Sequence, residues 1–141
     1  MTLGTQRNTP DNNTVIPLEP EFITPQDGHA KQDCENAAAK RWLSQYGLRY
    51  RALGVTILGD DLYSRQPLCE AILEHGLSFI LVCKPDSHKT LYEWVDGLNS
   101  SGGVHTVTGQ RRRGKKTQTD TYRFVNRVPL RDGTAALQVT V

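Results

Sequence analysis

Val55-Thr56-Ile57-Leu58-Gly59-Asp60-Asp61-Leu62-Tyr63-Ser64-Arg65-Gln66-Pro67-Leu68-Cys69-Glu70 is the stretch on which the fold turns. Four apolar or β-branched residues lead into a glycine and two carboxylates, and a helical pattern follows at once. The spacing predicts a buried strand over Leu53–Leu58 that delivers Asp60. A helix capped by Ser64 comes next, with Pro67 in its first turn and Gly76 at its end. A carboxylate at the carboxyl end of a central strand is where open α/β sheets place their chemistry. It is also how many phosphoryl-transfer enzymes hold Mg²⁺, with one or two carboxylates and the rest of the shell from water and substrate.

Gly59 lets the backbone turn tightly and leaves room beside the carboxylate. Adjacent strand residues point to opposite faces, so Asp60 and Asp61 are not expected to bind one ion together. One is the candidate ligand, and the other is a cap or a solvent residue. A purely structural role for both, at the start of the following helix and favoured by its dipole, accounts for the same spacing. The Gly-Asp-Asp triplet of RNA-copying polymerases sits in a β-hairpin, whereas a helix pattern follows here.

Upstream, Asp33 is placed to cap a helix that runs to Tyr46 and stops at Gly47, with Ala38, Trp42 and Tyr46 on one face. Thr24–Gln32 reads as a turn-rich loop, and Val15–Ile23, interrupted by Pro17 and Pro20, as a broken edge strand. Residues 1–13 read as an unstructured lead-in. Downstream, Leu77–Cys83 is a nearly continuous apolar run, the pattern of a strand buried on both faces. Ser87 then caps a helix with the stripe Leu91, Trp94, Val95 and Leu98. The order helix–strand–helix–strand–helix predicts parallel strands joined by right-handed crossovers. After Asn99–Gly103 the period becomes two, over 104–108, 119–125 and 135–141, with Asp132-Gly133 as a hairpin turn. The expected fold is therefore α/β: a strand–helix–strand–helix core over residues 14–100, then an antiparallel β region over 101–141.

The length, 141 residues, gives room for one domain and one core. Net charge is only +2, but its distribution is uneven. Gln110-Arg111-Arg112-Arg113-Gly114-Lys115-Lys116, followed by Arg123, Arg127 and Arg131, lies among Thr106, Thr108, Thr117 and Thr119. Such a cluster neutralises phosphates and donates hydroxyl hydrogen bonds, which makes Arg111, Arg112, Arg113, Lys115, Lys116, Arg123 and Arg127 the candidate nucleic-acid contacts. The plainer alternative is a solvated hairpin loop. Cys34, Cys69 and Cys83 are far apart and in no metal or redox spacing, so they read as free thiols of a reducing compartment. None of His29, His75, His88 and His105 pairs at metal-ligand spacing. With no phosphate loop, dinucleotide fingerprint, nucleophile elbow, signal-peptide core or membrane-length run, a cytoplasmic protein that contacts no membrane is expected.

Four runs resemble bacterial insertion-sequence transposases of the DDE class. They are Pro20–Gly28, Lys31–Leu43, Leu58–Gln66 and Val82–His88, and the likeness extends over about residues 14–141. The resemblance implies a ribonuclease-H-like catalytic domain with three separated carboxylates, Asp, Asp and Glu, that bind two Mg²⁺ or Mn²⁺ ions. It puts the second Asp at Asp60, with Asp61 as the alternative, and Tyr63 in the expected following place. It also implies a β-rich insertion where residues 104–141 alternate. Its substrates would be DNA, both transposon ends and target, cut and joined by phosphodiester hydrolysis and strand transfer. The first Asp should precede Thr14, where only Asp11 stands, on no strand pattern. The closing Glu should follow the insertion in a Tyr-Arg-Glu-Lys context, which this sequence lacks. The expectation is thus an internal fragment of the enzyme, inactive alone and not expected to hold the metal pair. The alternatives are a DNA-binding or interaction module that assembles with itself or with an intact transposase, and a non-functional remnant.

Overall fold

The computed structural model of the chain describes residues 16–23 and 31–141; the side chains of residues 31–34 and of Arg113 are not among those described. The expected lead-in over 1–13, Asp11, His29 and nearly all of the Thr24–Gln32 loop lie outside the described residues. The described chain is mixed α/β, with three helices and three two-stranded sheets. It forms two compact units, one ending at Cys83 and the other beginning at Lys84.

In the first unit, α1 spans Lys31–Arg51, longer at both ends than the expected Asp33–Tyr46. Gly47 does not stop it. A Cβ on Gly47 would come within 2.9 Å of the His75 ring, so its missing side chain is what lets α1 approach that histidine closely. The turn that ends α1 closes on Gly54, at a left-handed φ of 61°. Ala38, Ala39, Trp42, Leu43 and Tyr50 are its buried hydrophobic residues. The Trp42 indole stacks on the Tyr50 ring, centroids 5.4 Å apart.

Residues 16–23 form no strand, a correction to the edge-strand expectation. Side chains of α1 hold them instead. Trp42 Nε1 donates to the Glu19 carbonyl at 2.9 Å, Tyr50 Oη donates to the Glu19 carboxylate at 2.5 Å, and Arg41 pairs with Glu21 at 2.8 Å. Prolines 17 and 20 deprive the segment of two backbone donors, so side-chain attachment replaces a ladder.

β1 (Thr56–Gly59), α2 (Gln66–Glu74) and β2 (Ser78–Leu81) make the expected strand–helix–strand unit, but β1 begins later than the expected Leu53 and, against the expectation of a buried strand, alternates between exposed and half-buried residues. The strands are parallel, in register from Thr56↔Ser78 to Gly59↔Leu81. Leu68, Cys69 and Ile72 of α2 are buried. The N-cap of α2 is Arg65 rather than Ser64, whose hydroxyl donates to the Asp61 carbonyl at 2.8 Å. The expectation of a doubly buried second strand also fails. Phe79 and Leu81 are half-buried, while Ile80 is 68% exposed and Leu58 beside it 64%. A continuous apolar run does not by itself report burial on two faces, and this pair packs only one.

The second unit begins with α3 (Lys89–Ser100), which follows His88; Ser87 bonds back to the Lys84 carbonyl instead of capping. Leu91 is the fully buried residue of α3, and Trp94 is 53% exposed. β3 (His105–Arg113) and β4 (Lys116–Phe124) form an antiparallel ribbon from His105↔Phe124 to Arg113↔Lys116. β5 (Val128–Pro129) pairs with β6 (Gln138–Val139), and β5 packs on α3. Asp132-Gly133 lies in the connection over 130–137, so it does not make a two-residue hairpin turn, and the alternating stretch 135–141 contributes only a short strand. No helix among the described residues is long and apolar enough to cross a membrane.

Candidate functional site

Asp60 is the first residue beyond β1 and is exposed. Its carboxylate accepts the Leu62 N–H at 3.0 Å, and its carbonyl accepts the Tyr63 N–H at 3.2 Å. A short acceptor side chain that bonds two residues ahead is the standard way an aspartate shapes a turn. Neither Asp60 nor Asp61 falls in the first turn of α2, which contains no acidic residue. The helix-dipole account of this pair is therefore corrected: the carboxylate of Asp60 serves the turn between strand and helix.

The room beside Asp60 is already occupied. A Cβ on Gly59 would stand 2.8 Å from Leu81 Cδ2 and 3.3 Å from Tyr63 Cβ, so Gly59 is needed for close packing. A cavity of about 70 Å³ beneath this strand is apolar, with Trp42, Leu43, Ile57, Leu68 and Ile72 among its walls.

Tyr63 is half-buried, and burial pushes its phenol above the ordinary value, with the charges of Glu35 and Asp60 pushing the same way. Glu35, only 7% exposed, is a carboxylate that the motif reading missed. A signal existed: it sits three and four residues before Ala38 and Ala39, and seven before Trp42, on the apolar face of α1. Among the described residues no three of His, Cys, Asp and Glu are grouped to hold a metal ion. Asp60 and Glu35 alone do not satisfy the near-octahedral oxygen shell of Mg²⁺, so these residues do not by themselves fit the metal pair.

The basic residues lie differently from the loop picture. Arg111, Arg112, Arg113 and Lys116 are strand residues, and only Gly114 and Lys115 form the turn. Gly114 has φ 63°, as the first central residue of a type II′ hairpin turn requires. Arg123 pairs with Thr106 at the far end of the ribbon, roughly 25 Å from the tip. There its guanidinium donates to the Asn99 side-chain oxygen. Arg127 is exposed and lies beyond the ribbon, the one non-glycine among the described residues with a left-handed backbone, φ 58°. The structure thus collects Arg111, Arg112, Arg113, Lys115 and Lys116 at one end and separates Arg123 and Arg127 from them.

Strand alternation sorts the ribbon into two faces. One carries His105, Val107 and Arg111 with Phe124, Tyr122, Asp120, Gln118 and Lys116. Asp120, the sole carboxylate of the ribbon, pairs there with Arg111 at 2.9 Å and accepts from Gln118 at 2.9 Å. The other face carries Thr106, Thr108, Gln110 and Arg112 opposite Arg123, Thr121, Thr119 and Thr117, all exposed.

No protein-family model, curated protein or solved structure matches this chain.

Proposed function

We propose that this chain carries the segment of a DDE-class insertion-sequence transposase that holds the second catalytic carboxylate, within a ribonuclease-H-like domain, and that its own activity is DNA binding. The observation that carries this reading is the carboxylate of Asp60 directly at the carboxyl end of β1, in a parallel strand–helix–strand unit. The ribbon supports the DNA-binding half, with six basic residues against one acidic residue over 105–124. In a full enzyme of that class, DNA cleavage and joining need three carboxylates that hold Mg²⁺ or Mn²⁺. Because the described residues do not supply such a set, no step of that reaction is assigned to this chain.

Two measurements on the purified chain test the proposal. Incubation with duplex DNA in Mg²⁺ or Mn²⁺ should give no nicking; nicking that Asp60→Ala abolishes would show a working site. Duplex binding should weaken steeply with salt, as counterion release demands. Binding indifferent to salt would remove the DNA-binding half. A second reading, association with an intact transposase or with another copy, is favoured by the exposed Leu58, Ile80 and Val82 on and beside the small sheet.

A further inference from the structure

The β3–β4 ribbon has nine residue pairs, yet only Gln118, Asp120 and Phe124 among its described side chains are even half-buried. A two-stranded ribbon is marginal in water unless a face is covered. Core packing therefore does not account for most of its length, about 30 Å of strand.

Its two faces differ in chemistry. Asp120 spends its charge against Arg111, so the face they share is partly neutralised and polar contacts on it are made internally. Tyr122 and Val107 stand exposed on that face. The opposite face has no carboxylate. Five threonines and Gln110 lie between Arg112 near the tip and Arg123 near the base. Threonine hydroxyls both donate and accept, and glutamine does the same through its amide. Those are the groups that read base edges and bind phosphate oxygens. The major groove of duplex DNA is about 12 Å wide and admits a two-stranded ribbon.

We propose that the face of the β3–β4 ribbon bearing Thr106, Thr108, Thr119, Thr121, Arg112 and Arg123 is the one that enters the duplex groove, the opposite face pointing away. This rests on the DNA-binding reading above and adds which side of the ribbon makes the contact. Charge complementarity between the ribbon as a whole and the phosphate backbone supplies the attraction, and the threonine–glutamine surface, which carries no carboxylate, selects the face.

Arg111 and Arg112 make the test, being neighbours of one chemistry on opposite faces. Binding of the full chain to a duplex, and to one of its strands alone, is measured across a salt series for Arg111→Gln, Arg112→Gln, Tyr122→Ala and the double change Thr108→Val with Thr121→Val. All five positions are exposed, and valine keeps the strand preference of threonine, so the ribbon survives. Arg112→Gln should lower the salt slope by about one, while Arg111→Gln leaves it unchanged. The threonine pair should weaken duplex binding by about tenfold, and Tyr122→Ala should not. Equal effects of the two arginines, or a loss confined to Tyr122→Ala and single-stranded DNA, would overturn the face assignment while leaving DNA binding in place. Absence of salt-dependent binding in the unaltered chain would instead remove the reading beneath it.

Discussion

Cys69 shows how burial sets reactivity at a single residue. It is 1% exposed, and burial, with the neighbouring Cys83 as a lesser cause, pushes its thiol up to about 11. The thiolate is the nucleophile, so at neutral pH this sulfur is inert. Cys83 is half-buried; its thiol is also raised by burial, opposed by a hydrogen bond with Ser64. Alkylation of the native protein at pH 8, mapped by mass spectrometry, should modify Cys83 well before Cys69. Labelling of Cys69 at the rate of the unfolded chain would contradict the burial. Asp60 is the complementary case, a residue whose place was legible but whose bonding was not. The switch from strand pattern to helix pattern located its carboxylate at a strand end. The bond it accepts from Leu62 depends on turn geometry, and the spacing had pointed to the helix dipole instead. Glu35 was overlooked because motif logic looks for carboxylates at strand ends, not for one embedded in an apolar helical face.

Among the elements, the attachment of segment 16–23 to α1 depends on pH. Glu19 accepts from Tyr50, and chiefly for that reason its carboxyl lies below the ordinary value, with Arg49 adding to the effect. The same bond, first among the causes, raises the Tyr50 phenol. A lowered carboxyl contributes stability above its unfolded value, near 4.5, and loses it as pH falls through the folded value. A raised phenol contributes below its unfolded value, near 10, and loses it as pH rises through the folded one. The attachment should therefore hold between these limits and loosen on either side. Tyr50→Phe should return the Glu19 carboxyl toward its ordinary value, read by carbon NMR titration; an unmoved titration would show that the hydrogen bond is not the cause. Element order was legible here because the apolar period changes from 3.6 to 2 along the chain. Boundaries were not, since they depend on contacts distant in sequence. Gly47 lies within α1, where the lack of a side chain admits His75, and the basic run is strand because its partners at 116–119 pair with it.

For the molecule as a whole, each unit is held by a small set of fully buried side chains. Ile72 is 1% exposed in the first unit and Leu91 0% in the second. Truncating a buried aliphatic side chain removes its transfer energy and leaves a cavity, so Ile72→Ala and Leu91→Ala should each cost about 2–5 kcal/mol. Denaturant unfolding measures both; a cost below about 1 kcal/mol would mean the site is not packed as described. The α/β class was legible from the whole sequence, but its division at Cys83 was not, because no composition change or glycine-rich linker marks it. The stacking of Trp42 on Tyr50 has a spectroscopic corollary. The chain has two tryptophans, one per unit: Trp42 is shielded against Tyr50, and Trp94 is open to water. Emission from Trp42 should start blue and move red as the first unit opens, whereas emission from Trp94 should be red from the outset. The protein carries its own two-colour indicator, in which a spectral shift belongs to the first unit and Trp94 supplies the baseline.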